Sequence, residues 1–326
     1  MRKNIQYFYK LCLVLIVIGL INIWCICWPI SAQPINDNAR NKQVINSIKL
    51  ETEKLLQPIP KQQQNCLKKQ KYCKMGNSIF PFYRATNYLF WSDFFQDSRL
   101  NKFGNAKTKT WLSGDLHVDN FGTFDNDEGE VIFDLNDFDE SVIADYQYDL
   151  WRLATSIILA SNENNLLDQS QQAEVIDNLS ESYLDTLASY TGNDDEKKIY
   201  FTNSNTNKHL KKLLKKAQEK TRQDLLNKWT KIDQNNQRKF DLSSEKLALP
   251  CAIKEQIKYQ ILVYSQPIAK KLDYQNNFFQ VKDIARRLNA GLGSLGTPRY
   301  SVLIEGKTDQ LDDDLILDIK RQSKPI

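Results

Sequence analysis

Apolar residues run almost without a break over residues 11–30, thin out over 37–74, shorten into strand-like runs, and after Asp149 return at helical spacing. The first run follows Arg2, Lys3 and Lys10 and ends in Ser31-Ala32-Gln33. A basic start, an apolar core and a small-residue exit predict a secretory signal over residues 1–32, with cleavage after Ala32. About twenty apolar residues also span a bilayer, so an uncleaved N-terminal membrane anchor is the alternative. In both readings the positive charges ahead of the run place the rest of the chain outside the cytoplasm, secreted, periplasmic or membrane-anchored. A lipoprotein reading is poor, because Trp24 and Ile26 precede Cys25 and Cys27 where processing needs a small residue. Residues 33–74 are rich in Gln, Asn and Lys, with apolar positions too sparse for a core helix, which predicts a polar linker and then a surface helix.

Residues 108–112 and 130–134 read as short strands, and TFDNDEGE (123–130), acidic and amide-rich before Gly129, reads as the hairpin turn that returns the chain. After Asp149, Leu150, Leu153, Ala154, Ile157 and Ile158 share one face of a 3.6-residue period, and Val175, Ile176, Leu179, Tyr183, Leu184 and Leu187 share another. Both predict core helices. KHLKKLLKKAQEKTRQDLLNKW (208–229) sets Leu210, Leu213, Leu214, Ala217, Leu225 and Leu226 among lysines at roughly helical spacing, which predicts one amphipathic basic helix. Such a helix rests on a membrane surface or meets an anionic acceptor, or else its charges are a solvated face. No aromatic stacking pattern accompanies the lysines, so no nucleic acid is expected. A short helix is expected before Gly291, then strands at 299–304 and 315–320. The fold class is therefore α+β: a small sheet around two loops, a helical body over 145–288, and a terminal antiparallel strand pair over 299–320.

Composition narrows this picture without redirecting it. With 326 residues, 41% of them hydrophobic, the chain is a globular protein able to bury a sizeable core. The net charge of +4 comes largely from the basic stretch and not from an evenly basic surface. Beyond the apolar run stand Cys66, Cys73 and Cys251. In an oxidising compartment Cys66 and Cys73, six residues apart in CLKKQKYC, close a small disulfide loop, or all three remain free thiols. Only His117 and His209 are available to complete a thiol metal site, which argues against one.

The chemistry-bearing stretch is SGDLHVDNFGTFDNDEGEVIFDLNDFDE (113–140). Asp115 and Asn120 lie five apart on a loop after the first strand, and Asp137 follows the second. Phosphoryl transfer needs this set: a carboxylate to orient or deprotonate the acceptor, here Asp115, and an amide oxygen with a second carboxylate to hold Mg²⁺, here Asn120 and Asp137. A calcium loop fits poorly, since the spaced ligand series and closing Glu are missing. A binuclear metallophosphoesterase also opens on Gly-Asp-x-His, but it needs several more histidines than this chain has.

Gly114, Asp115, Leu116, His117 and Asn120 resemble the catalytic loop of the protein-kinase-like superfamily, in its aminoglycoside phosphotransferase and choline kinase branch. Asp137 stands twelve residues before Asp149 of Tyr148-Asp149-Leu150, the spacing that the branch keeps between its metal Asp and a helix-opening Asp. More closely still, FPFYRATNYLF (80–90), SGDLHVDNFG (113–122), FDLNDFDE (133–140), DLWRLATS (149–156), VKDIARRLNAGLGSLGTPRY (281–300) and LILDIK (315–320) resemble the bacterial family named domain of unknown function 2252.

The resemblance implies a kinase-like domain over 75–326, using Mg²⁺ and ATP on an unknown small-molecule or protein acceptor. In kinases a glycine loop covers the phosphates and a strand lysine pairs with them. Gly291, Gly293, Gly296 and Lys320 would take these roles, in rearranged order because they follow the catalytic loop. The alternative is a flexible glycine turn and a surface lysine. Supporting positions are His117, read as a buttress of the loop, Asp149 as a cap or brace, and Arg84, either a solvent-facing cation or a site residue. Arg152 is expected to make an ion pair. Ile326 stands six residues beyond Lys320, so the expectation is a domain shortened at its C-terminus. Export separates the chain from cytoplasmic ATP, and with the early stop this makes a non-catalytic exported binding or scaffold protein the alternative to a phosphotransferase.

Overall fold

The computed structural model describes residues 37–322, apart from residues 58, 96, 243–245, 273–276, 289–290, 292 and 294. The predicted signal or anchor over 1–32 and the first residues of the predicted linker lie outside the described residues. Among the described residues no helix is long and apolar enough to cross a membrane. The chain divides into two compact units, one formed by residues up to Glu51 with Tyr72–Glu219, the other by Thr52–Lys71 with Lys220–Ser323.

Where a linker and one surface helix are predicted, two helices stand, α1 (Asp37–Leu56) and α2 (Lys61–Met75). Their many Lys, Gln and Glu residues are good helix formers, and a helix needs only its contacting stripe to be apolar. Leu56 and Met75 supply that stripe and are buried. Cys66 and Cys73 both lie on α2, and at ~1.5 Å of rise per residue they stand roughly 10 Å apart, beyond the ~7 Å limit for a disulfide. They and Cys251 are free and exposed.

In the first unit, α3 (Ile79–Ala85), α4 (Asn87–Phe94) and α5 (Ser98–Phe103) lead into β1 (Lys109–Leu112). The predicted hairpin is present as β2 (Phe121–Asp125) and β3 (Val131–Leu135), antiparallel with Thr123 opposite Phe133. Its turn is closed by Asn126, whose Oδ1 accepts from Glu128 N at 3.1 Å and Glu130 N at 2.8 Å. Strand β1 pairs instead with β4 (Val142–Asp145). The loops bearing Asp115 and Asp137 thus lie at neighbouring exits of two short ribbons.

Helices α6 (Gln147–Glu163) and α7 (Gln169–Ser189) follow as predicted, packing Leu153 and Ile157 on Val175 and Leu179. The far end of the second predicted stripe does not join this core, since Leu184 and Leu187 are exposed. The single basic helix predicted over 208–229 is two, α8 (Lys208–Gln218) and α9 (Arg222–Trp229). Thr221 and Asp224 form a reciprocal capping box that starts α9 afresh. Leu210 and Leu214 of α8 are fully buried against Phe133 of the hairpin, so this helix spends its apolar face on the core and turns its lysines to solvent.

The second unit is less helical than the predicted body over 145–288. A hairpin of β5 (Thr230–Ile232) and β6 (Arg238–Phe240), strand β7 (Lys246–Leu247) and helix α10 (Cys251–Leu272) precede β8 (Val281–Arg287), where a short helix is expected. Strands β9 (Arg299–Ile304) and β10 (Leu315–Lys320) pair antiparallel as predicted, completing a sheet of order β10-β9-β8-β7. Both faces of β8 are covered. Ile284 packs with Ile257 and Ile261 of α10, while Ala285 packs with Leu226 and Phe240. Two adjacent buried residues hide the two-residue alternation of a strand, which explains the helical reading.

Truncating Leu210 or Leu214 to Ala is expected to cost about 2–5 kcal/mol each, since both side chains fill a closed contact with Phe133. Lys212→Ala on the solvent face is expected to stay within about 0.5 kcal/mol. Urea denaturation followed by circular dichroism checks both.

Candidate functional site

The loop over 113–120 is anchored from three sides. Gly114 has φ +82°, and a Cβ there would lie 2.0 Å from Glu140 O, so only glycine lets the chain turn against the second loop. Its carbonyl accepts from Asn87 Nδ2 at 2.9 Å and Trp91 Nε1 at 2.8 Å, both on α4. Its own N–H and that of Ser113 donate to Asp149 at 3.0 and 2.7 Å. The Asp149 carboxylate thus accepts from the backbone of this loop and not from the N–H groups of α6. Burial pushes the Asp149 carboxyl above the usual range, and the two N–H donors pull it back.

Asp115 is held by Arg152, one turn after Asp149 on α6. The Arg152 side chain is 1% exposed, and its Nη2 lies 2.5 Å from Asp115 Oδ1. The guanidinium also stacks on the rings of Tyr83, at 4.3 Å, and Phe90, at 5.2 Å. Burial raises the Asp115 carboxyl above its ordinary range; Arg152 and then Arg84 oppose the rise, and Asp139 adds to it. The expected ion pair of Arg152 thus falls on the candidate base itself.

His117 is buried, and its Nε2 accepts from Arg84 Nε at 3.3 Å. Burial, with the positive charges of Arg84 and Arg152, pulls its pKa down to about 3, so the ring is neutral at physiological pH. An arginine only donates, so Nε2 is the acceptor and Nδ1 carries the proton. His117 is thus tied to Arg84 through its ring and to Asn120 through its backbone N–H. Arg84 is half-buried and pairs with Asp119 at 2.6 Å, so it is not simply a solvent-facing cation.

Asn120 is buried, and its Oδ1 accepts from His117 N at 2.7 Å. One lone pair of the expected metal ligand is therefore used within its own turn. The two loops are tied together where Asn136 N donates to Asn120 O at 3.0 Å and Ser113 Oγ donates to Asp137 O at 3.2 Å. Asp137 is exposed, and Asp139, two residues on, is the acid whose charge reaches Asp115. Asp139 is the site residue the motif reading missed. Its signal was the repeated acid in NDFDE, which sets a second carboxylate two residues beyond Asp137.

Gly291, Gly293, Gly296 and Lys320 belong to the second unit, and Asp115, Asn120 and Asp137 to the first. The glycines lie between β8 and β9, with Gly291 at φ +74° and Gly296 at φ +93°, and Lys320 ends β10. The buried Lys71 of α2 donates to Gly293 O at 2.5 Å. Burial pulls the Lys71 pKa down to about 8.

Oxygen donors at Asn120, Asp137 and Asp139 suit a hard cation that keeps part of its water shell. Among the described residues, the acids whose carboxylate oxygens all lie within 4.8 Å of one another are instead Glu305, Asp313 and Asp314 of the second unit. There Lys282 Nζ stands 2.8 Å from Glu305 and 2.6 Å from Asp314, so an ammonium already meets the charge.

The sequence pattern of a bacterial family described as an uncharacterized protein conserved in bacteria (DUF2252) matches residues 63–325. The chain belongs to this family. No curated protein and no solved structure matches it. In this DUF2252 chain the matched region takes in both acidic loops, α6, the glycine-bearing segment and Lys320, while α1 precedes it.

Two outcomes are expected of this site. Arg152→Leu leaves Asp115 a half-buried carboxylate without its main partner and should cost about 3 kcal/mol, much of it restored by adding Asp115→Asn, in a double-mutant denaturation cycle. His117 should make stability fall as pH drops from about 6.5 towards 3: the unfolded imidazole takes up a proton that the folded one, at about 3, refuses. Above about 6.5 both states are neutral and the component vanishes; subtracting the pH curve of His117→Gln from that of the native chain isolates it.

Proposed function

We propose that the first unit carries the site of a Mg²⁺-dependent phosphotransferase of protein-kinase-like fold, acting on a small-molecule or protein acceptor. The observation that carries this reading is the joining of the two acidic loops, with the Asp115 carboxyl raised by burial at their meeting point. A carboxylate shifted upward and fixed in place suits a group that orients or deprotonates an acceptor hydroxyl. Asn120 and Asp137, with Asp139 beside them, would hold Mg²⁺, which when bound supplies charge neutralisation at phosphoryl oxygens. Arg84, His117 and Asp149 fix the loop without touching the reacting atoms.

The kinase-like part of the reading is supported separately within the second unit. The glycine-bearing segment joins antiparallel strands β8 and β9, and the lysine strand β10 pairs next to β9. That is the order of glycine turn, return strand and lysine strand used by kinases. ATP as donor and export of the chain remain parts of the proposal that rest on the sequence.

One observation favours a second reading, a non-catalytic binding protein that keeps the fold. Arg152 occupies Asp115, and Asn120 Oδ1 is committed to His117 N. Calorimetric titration of Mg²⁺·ATP separates the two. Asp137→Ala should abolish Mg²⁺-dependent binding, and unchanged binding would sink the metal assignment. Asp115→Asn should retain binding while slowing phosphoryl release to water or acceptor by about 10²–10⁴-fold; an equal rate would remove Asp115 as the base, and binding with no phosphoryl release in the native chain would favour the non-catalytic reading.

A further inference from the structure

The first unit holds a groove of about 930 Å³, within the size range of a site for a whole organic ligand. Helix α4 gives it Tyr88 and Trp91, α5 gives Leu100, α6 gives Tyr148, and β4 gives all four of its residues. Successive residues of a strand face opposite ways, so a groove lined by four in a row follows the strand's edge. Strand β4 pairs only with β1 among the described residues, which leaves that edge open. We propose that this groove binds a planar aromatic amine, its ring among the aromatic side chains and its ammonium against Asp145. The assignment draws on none of Asp115, Asn120 and Asp137.

Aromatic surface is the first argument. Trp91 and Tyr148 stack with centroids 4.1 Å apart and 14° between their planes. The indole N–H of Trp91 is committed to Gly114 O, so what this residue offers the groove is its carbon surface. Phe95, just past α4, is 74% exposed, and Ile143 is 58% exposed. An apolar rim left this open in water marks a place where a ligand is covered. Aromatic rings attract both flat partners and cations.

Charge is the second argument. Asp145 accepts from Gln147 N at 3.1 Å, from Gln147 Nε2 at 3.0 Å and from Thr108 Oγ1. These donors are neutral, and Asp145 has no ion pair among the described residues, so its charge is fixed in place without being neutralised. Asp97, the other acid of the lining, is already paired with Arg99. The charge of Asp145 is felt inside the groove: after burial, it is what raises the Tyr148 phenol. The Tyr148 hydroxyl makes no hydrogen bond among the described residues, although the residue is 7% exposed. Lys109 lies opposite Asp145 in the β1–β4 register and is exposed. It is the single cation of the lining among the described residues.

The test is calorimetry on the full chain at fixed ionic strength, without Mg²⁺ or nucleotide, so that failure of the metal assignment and failure of this one are read separately. The probe is tryptamine. Indoleacetate, which keeps the ring and reverses the charge, and cyclohexylethylamine, which keeps the charge and lacks a flat ring, are the controls. Tryptamine is expected to bind about tenfold more tightly than either. Ile143→Arg sets a like charge at an exposed rim position and is expected to weaken tryptamine about tenfold. Lys109→Gln removes the competing cation and is expected to tighten it about threefold, a gain that misfolding does not imitate. No tryptamine binding, equal binding of either control, or an affinity indifferent to both substitutions overturns the proposal. So does sedimentation of a dimer that Ile143→Arg dissociates, which would give the groove to a second copy of the chain.

Discussion

A guanidinium taken almost wholly out of water is tolerable only when its charge is met nearby. Arg152 meets that condition through Asp115, and the first unit is arranged around the pair. The rings of Tyr83 of α3 and Phe90 of α4 both contact the cation, and Tyr83 O accepts one of its N–H groups. Asp149, one turn earlier on α6, grips the backbone of Ser113 and Gly114. One helix therefore presents an anion to the loop's backbone and a cation to its carboxylate. The loop is rigid because both of its polar features are satisfied by the same rigid element.

That rigidity extends to the second acidic loop through Asn120 O and Ser113 Oγ. The hairpin beneath is fixed by Leu210 and Leu214, whose burial uses the apolar side of a helix that sequence alone offers equally to a membrane or an acceptor. Tertiary packing places that side, through Leu210 and Leu214, in the core. What remains outside is a face of lysines, which costs little in water.

In the second unit a different constraint operates. A strand covered on both faces must bury adjacent residues, and β8 does so with Ile284 and Ala285. The segment that follows it turns back through left-handed glycines against α2, where Lys71 receives it. Helix α2 was unreadable as a packing element because its contacts are few and widely spaced, among them a lysine whose methylenes and ammonium are both buried.

The sequence by itself determined the elements whose information is local. The 3.6-residue stripes of α6 and α7, the Asn126–Gly129 turn, the strand pair β9–β10, and the loop carrying Asp115 and Asn120 are written in neighbouring residues. Asp149 was legible as a brace because its position relative to the helix start is local too. Partners brought together by the fold were not legible. The pairing of β1 with β4, the charge of Asp139 on Asp115, the seat of Arg152 against Tyr83 and Phe90, and the strand identity of β8 all join residues separated in the chain or buried on two faces. Spacing encodes the conformation of a segment. Which charge meets which, and which apolar face is consumed, depends on contacts that exist only once the segments have packed.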